Sequence, residues 1–309
     1  MIYDSLYKIL PDAITNVITK RLNPDKLYEL RLRANRPVMV NYGGNFYYLS
    51  GKGVKDSISE SIICSQSDIS DIVIKASEYS LYAVNDNICN GYITIKGGVR
   101  VGLAGEIVWE QDSIRTIKNF SSLNIRLPHE IFGCARKVYE YACEKEPKNT
   151  LIISPPGGGK TTLLRDLARL IGNSNSVSNI LLVDERNELA AVYNGIAQLD
   201  VGAHTDVISN CSKQFAFSQG IRAMRPDIIV TDELFGDADI SAVEYACASG
   251  VCVVASVHAA DHIDLINKPG FENVIRKRLF KRFVNLSSRH GPGTFDGIYD
   301  ENFNCIYYS

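Results

Sequence analysis

The segment Ser154-Pro155-Pro156-Gly157-Gly158-Gly159-Lys160-Thr161-Thr162 has the residue types of a phosphate-binding loop, G-x-x-x-x-G-K-[ST], with serine in place of the first glycine. Its glycines allow the backbone to curl so that successive N–H groups face a phosphate, and the positive end of a helix starting near Lys160 adds attraction. In this reading Pro155 through Thr162 cradle a nucleoside triphosphate. Lys160 contacts the β- and γ-phosphates, and Thr161 offers a hydroxyl to Mg²⁺. Ser154 stands where the chain leaves a strand, and serine can take those backbone angles.

Three further apolar runs end in polar residues suited to the same chemistry. "PDIIVTDELFG" delivers Asp232 and Glu233, "NILLVDERNE" delivers Asp184 and Glu185 followed by Arg186, and "VCVVASVHAAD" delivers His258. Asp232 would hold the metal, directly or through its waters, and Glu233 would polarise the attacking water as general base. His258 reads as a γ-phosphate sensor. Singly, acids after a strand are ordinary helix caps and a histidine is an ordinary core residue. Together with Lys160, the residues Glu233, His258, Asp184 and Glu185 form a candidate catalytic set.

Such residues meet only if the strands that carry them share an edge. After Pro128 the chain alternates strand and helix, which predicts a parallel α/β domain over 129–309, with ligands at the C-terminal edge of its sheet. Before it, Leu6, Ile9, Leu10, Ile14, Val17 and Ile18 predict two short helices with Pro11 opening the second. "YELRLR" alternates as a half-buried strand, "VMV" and "FYYL" read as short strands, and Ser67 to Ala76 has helical spacing. "GYITIKGGVRVGLAGEIV" predicts two strands joined at Gly97-Gly98. The expected organisation is a smaller α+β domain over 1–128 and a RecA-like P-loop domain over 129–309, the latter opening with a helix over 132–147.

Composition sets outer limits. The chain has 309 residues, a formal net charge of -2 and a pI near 6.2, so bulk electrostatics do not favour wrapping nucleic acid or coating an anionic membrane. No apolar run approaches a membrane span, and the N-terminus lacks a leader pattern, which predicts a cytoplasmic protein. The eight cysteines contain no C-x-x-C pair and read as buried thiols.

The order of P-loop, Asp184-Glu185 box, "IRAMRPDIIVTDE" and "SGVCVVASVHA" is similar to the secretion ATPases of type II, type IV and pilus-assembly systems. More closely, "LYELRLRANRP", "SLYAV", "GYITIKGGVRVGLAGEIV", "SSLNIRL", "GCARKV", "NTLIISPPGGGKTTLLRDLAR" and "MRPDIIVTDE" resemble the stage III sporulation protein AA family of endospore-forming bacteria. The resemblance runs from about Leu27 to His258. It implies an ATPase using ATP and Mg²⁺, working as a hexameric ring in the mother cell. There it would lie at the membrane around the forespore through partners such as stage III sporulation protein AB, serving the channel between the two cells. It also implies that Arg126 and Arg100 are presented to the nucleotide, as arginines of the secretion ATPases are. His204 stands where the family pattern has arginine, and the four-cysteine zinc module of type II secretion ATPases has no counterpart.

Other basic residues leave alternatives open. Arg222 and Arg225 would reach the nucleotide or a neighbouring subunit, or make surface salt bridges, and Arg276, Lys277, Arg278, Lys281 and Arg282 read as a solvated helix face. Besides the ring motor, the residues allow a DNA-handling ATPase of the RecA type, disfavoured by the net charge, and a nucleotide-gated scaffold with little hydrolysis.

Overall fold

A computed structural model describes residues 2–143, 146–174, 179–268, 270–291 and 293–308. The chain divides into two compact units, residues 1–129 with 191–198, and residues 130–190 with 199–309.

The first unit opens with α1 (Ile2–Ile9) and α2 (Asp12–Arg21), and Pro11 is the cap residue of the second, as the apolar spacing predicts. Strands β1 (Leu27–Arg33), β2 (Arg36–Pro37), β3 (Met39–Tyr42), β4 (Asn45–Ser50), β5 (Gly53–Lys55) and β6 (Ile63–Cys64) lead to α3 (Gln66–Ala76) and α4 (Asn85–Cys89). Ser65 caps α3, in a capping box with Asp68. Then β7 (Tyr92–Ile95), β8 (Val99–Glu110) and β9 (Ser113–Arg126) complete a seven-stranded sheet of order β5-β4-β3-β1-β9-β8-β7, with β2 and β6 paired apart. Alternation along β1 puts Leu30 and Leu32 into a core with Ile14, Ile18, Ile69 and Ile72 of the helices, and leaves Glu29, Arg31 and Arg33 on the other face. Gly97 and Gly98, both at positive φ, make the β7–β8 turn as expected. Segment 191–198 joins this unit: the Tyr193 hydroxyl donates to Glu78, and Gln198 accepts from the Gly97 N–H at 2.7 Å.

The second unit contains α5 (Arg136–Ala142), β10 (Thr150–Ser154), α6 (Lys160–Gly172), β11 (Ile180–Asp184), β12 (Thr205–Ser209) and α7 (Lys213–Met224). It continues through β13 (Ile228–Thr231), α8 (Gly236–Ala248), β14 (Cys252–His258), α9 (His262–Ile266), α10 (Phe271–Arg276), β15 (Arg282–Ser287), β16 (Thr294–Asp300) and β17 (Cys305–Tyr308). The helix expected over 132–147 spans only Arg136–Ala142, and Glu144 and Lys145 lie outside the described residues.

The strand order is β12-β11-β13-β14-β10-β15-β16-β17, parallel from β12 to β15 and antiparallel beyond. Strands β10, β11 and β13 are buried at every residue, which is why they read as unbroken apolar runs rather than as alternations. From β10 the chain crosses to β11 on one side, and from β14 it passes to β15 on the other. The order therefore reverses at β10, and such a switch point opens a crevice at the C-terminal edge.

One close approach fixes the far end of α6. Gly202, at φ +98°, packs against Gly172, where an added Cβ would stand 2.8 Å from the Gly172 Cα. The His204 N–H donates to the Gly172 carbonyl at 3.1 Å and leads the chain into β12. The obstacle is backbone and cannot rotate away, so Gly202→Ala should destabilise the protein by roughly 2–4 kcal/mol. A urea melt showing a change below about 0.5 kcal/mol would contradict this packing.

Candidate active site

Register brings the four motifs level. Ser154 pairs with His258 across β10 and β14, Thr231 pairs with Ala255 across β13 and β14, and Val183 pairs with Thr231 across β11 and β13. The strand ends bearing Ser154, Asp184, Asp232 and His258 thus share one edge. Ser154 is the buried last residue of β10, in strand conformation, and its Oγ donates to the Pro155 carbonyl at 3.0 Å. The serine therefore costs no backbone strain. Its hydroxyl crowds Gly158, where a Cβ would lie 2.1 Å from Ser154 Oγ and 3.1 Å from Pro155 O, so a larger residue there would require the serine to change rotamer.

Where the loop enters α6, Lys160 is almost wholly buried. Its Nζ lies 2.9 Å from His258 Nδ1 and 3.5 Å from Glu233 Oε1. His258 Nε2 lies 2.8 Å from the same Glu233 oxygen, and Lys160 Nζ stands 2.9 Å from both ring nitrogens, so lysine, imidazole and carboxylate form one cluster. Arg186 holds the other Glu233 oxygen at 2.7 Å. Burial lowers the Lys160 pKa and Glu233 opposes this only in part. Burial alone would raise Glu233, but Arg186, Lys160 and His258 outweigh it and hold the carboxyl below its ordinary value. Glu233 also sits at φ +33°, its N–H bound to Ser256 Oγ at 3.0 Å. Left-handed backbone in a non-glycine residue stores strain that the surroundings must impose.

Asp184 and Glu185 stand apart from this cluster. The Asp184 carboxylate is fully buried and accepts from the N–H groups of Glu188, Leu189 and Ala190 at 2.7, 3.0 and 2.8 Å. Arg165 of α6 holds the same turn from its carbonyl side, donating to Leu189 O and Glu188 O at 2.7 Å each. Asp184 thus shapes the loop that carries Arg186. Glu185 binds Lys213, which is buried at the start of α7 and also lies 3.6 Å from Asp239. Sequence reading passed over Lys213 altogether and gave Arg186 no role. The signal for Lys213 was only a lysine after the capping Ser212, and nothing local marks such a side chain as buried.

The remaining basic residues separate clearly. Arg222 and Arg225 are exposed and precede β13 at its N-terminal end, the edge opposite Lys160. Of the cluster 276–282 only Arg276 lies in a helix, so it is no continuous helix face, and Lys277 pairs with Glu244 at 2.7 Å. His204 is exposed and serves through its backbone. In the first unit, Arg100 and Arg126 are direct partners across β8 and β9, with Glu29 beyond Arg126 on β1 and the Arg100 guanidinium 3.6 Å from the Tyr92 ring centre.

A model of the family described as "Sporulation stage III, protein AA" matches residues 3–306. "Stage III sporulation protein AA" of Bacillus subtilis (strain 168) is 34% identical over 310 residues, covering 98% of this chain and 97% of that protein. Among solved structures, the ATPase DotB of Yersinia pseudotuberculosis matches with a TM-score of 0.55 at 15% identity, over 84% of this chain and 71% of that one. The pilus retraction motor PilT, solved with ADP, matches with a TM-score of 0.56 at 15% identity, over 88% and 76%. These two likenesses show a shared mixed α/β ATPase fold. No helix among the described residues is long and apolar enough to cross a membrane.

Asp232 has a different environment from Glu233. It is 3% exposed, and burial first, then the nearby Asp184, push its pKa up to about 7 although Lys213 opposes them. A buried carboxyl among other acids suits a divalent cation, which would restore its charge. No cluster of three or more His, Cys, Asp or Glu among the described residues could hold a metal without other donors. Because the folded state keeps this proton above the pH at which the unfolded chain loses it, the group's contribution to stability falls between about pH 4 and 7. Asp232→Asn in nucleotide-free, EDTA-treated protein should therefore gain stability over wild type as pH rises across that window, on the order of 1–2 kcal/mol at pH 8. Urea melts at pH 5 and pH 8 that give the same difference would refute the assignment.

Proposed function

Because the chain belongs to the stage III sporulation protein AA family, we propose that it is an ATP-hydrolysing ring motor of endospore formation. In this reading residues 129–309 are a RecA-like ATPase domain and 1–128 an N-terminal α+β domain. Six copies form a ring in the mother cell, held at the membrane around the forespore by partners such as stage III sporulation protein AB. The ring powers or assembles the channel complex between the two cells.

The observation that carries the reading is the approach of the P-loop lysine to within 3.5 Å of a carboxylate that His258 and Arg186 also hold. A lysine whose only task was to close the loop would not need a glutamate on the neighbouring strand system. In the proposed reaction the loop N–H groups and Lys160 bind the triphosphate. Lys160 exchanges Glu233 and His258 for phosphate oxygens, and Glu233 turns to the attacking water. His258 Nε2–H and Arg186 remain as donors beside the γ-phosphate. Thr161 and Asp232 would hold Mg²⁺, which when bound neutralises phosphate charge. Arg126 and Arg100, from this chain or a neighbouring copy, supply further positive charge.

Binding and turnover should then separate. Lys160→Ala should abolish ATP binding measured by calorimetry, whereas Glu233→Gln should bind ATP and lose turnover in a phosphate-release assay. Wild-type turnover in Glu233→Gln would remove Glu233 as the base. Arg126→Ala, and more weakly Arg100→Ala, should slow hydrolysis by at least about tenfold with ADP affinity unchanged, because ADP lacks the γ-phosphate. Parallel losses of ADP and ATP affinity in these variants would remove the two arginines from the reaction.

A further inference from the structure

The first unit has a cleft of about 460 Å³ that the ATPase reading does not use, lined by α1, the end of α3, the β7–β8 turn and Tyr193 of segment 191–198. Its floor is apolar and buried, made of Ile9, Ala76 and Ile95. Around it stand three lysines from three elements, Lys8, Lys75 and Lys96. Among the described residues none of the three has an ion-pair partner. Among the described residues lining the cleft the one acid is Glu78, which already accepts from the Tyr193 hydroxyl. The cleft therefore carries unbalanced positive charge over an apolar base.

Helix ends explain part of this. Lys8 and Lys75 lie in the last turns of α1 and α3, where a cation meets the negative end of the helix dipole. That accounts neither for Lys96, which belongs to a hairpin turn, nor for Tyr79. Glu78 and Tyr79 occupy left-handed backbone in succession, at φ 51° and 62°, a conformation that costs a bulky side chain about 1–2 kcal/mol. Backbone hydrogen bonds from Glu78 N–H to Lys75 O at 3.1 Å and from Tyr79 N–H to Ile74 O at 2.9 Å hold this turn at the end of α3. Tyr79 itself is 79% exposed, so its ring stands open beside three lysines and an apolar floor, the mixture of groups that ligand clefts use.

We propose that this cleft binds a soluble phosphorylated ring compound of about mononucleotide size, with its ring on the Ile9–Ile95 floor against Tyr79 and its phosphate among Lys8, Lys75 and Lys96. The volume fits such a molecule, and the concave shape distinguishes it from the flat basic surface that an anionic membrane would favour. Phosphate meets the ammonium groups as a charge-assisted acceptor, and the tyrosine face takes the ring. The site is separate from Lys160 and its ligand need not be the hydrolysed nucleotide.

Pyridoxal 5′-phosphate tests this directly, since it combines a phosphate, an aromatic ring and an aldehyde. The aldehyde condenses with a lysine amine, losing water, and borohydride reduces the imine to a stable secondary amine that peptide mapping locates. Adducts should concentrate on Lys8, Lys75 and Lys96 at concentrations that spare Lys52, whose side chain is 78% exposed, and adenosine monophosphate should protect them. An adduct at Lys160 is read separately from the same map. Tyr79→Gly should weaken probe binding by about tenfold while raising Tm, because glycine relieves the strained turn. A tyrosine with only a structural role would not give those two effects together. Labelling of the three lysines no greater than that of Lys52 would overturn the proposal, and so would labelling that adenosine monophosphate leaves unchanged. Sedimentation with phosphatidylglycerol vesicles, lost in Lys75→Glu and unaffected by adenosine monophosphate, would equally overturn it by showing a lipid-binding surface.

Discussion

The parallel register of four strands sets the level at which the strand-end groups of the candidate active site stand. Ser154 stands opposite His258, and Thr231 stands level with both Val183 and Ala255, so Asp184, Asp232 and Glu233 leave the sheet at the same height as the phosphate-binding loop. A slip of one residue in any strand would turn its buried side chains to the other face. Because these strands are buried on both faces, α6 packing on one and α7 and α8 on the other, the apolar interior resists such a slip along their whole length. Core packing and site geometry are therefore one constraint.

Fully buried charges then convert that scaffold into an aimed site. Asp184 and Arg165 hold the 188–190 turn from opposite sides, one taking its N–H groups and the other giving to its carbonyls. Peptide groups satisfy both buried side chains, and the acids Glu130, Asp184 and Glu188 add favourable charge around Arg165. The turn they fix runs from Arg186, on Glu233, to Ala190, the last residue before the chain joins the first unit. Lys213 does similar work at the head of α7, joining Glu185 to Asp239 of α8. Removing one partner from such a group leaves a buried charge uncompensated, which is far costlier than losing a surface pair.

The sequence made the scaffold and half of the site legible. Glycine spacing, a lysine at a helix start and acids after apolar runs are local patterns, and they located Lys160, Glu233, Asp232 and His258. The parallel sheet was readable because strands buried on both faces cannot alternate. Arg186 and Lys213 were not readable, because their roles depend on which loop folds over which strand end. Asp184 looked like Glu233 in sequence, and only the structure separates them, a turn wrapping one carboxylate while Lys160, His258 and Arg186 surround the other. The cleft of the first unit draws its residues from four elements far apart in the chain, so no window contains its pattern.

The same cluster that identifies Glu233 also explains how a depressed carboxylate could act as a base. With Arg186, Lys160 and His258 around it, Glu233 is held ionised below its ordinary pKa, and a carboxylate so stabilised is a weak proton acceptor. In the proposed reaction the triphosphate takes Lys160 away from Glu233 and brings phosphate charge close to it. Both changes raise the Glu233 pKa, the first by removing a stabilising cation and the second by adding like charge. In that reaction basicity would rise as the substrate binds. Without nucleotide, the lysine and the imidazole keep the carboxylate engaged. Substrate binding and activation of the proposed base would then draw on the same lysine, which would couple the two steps.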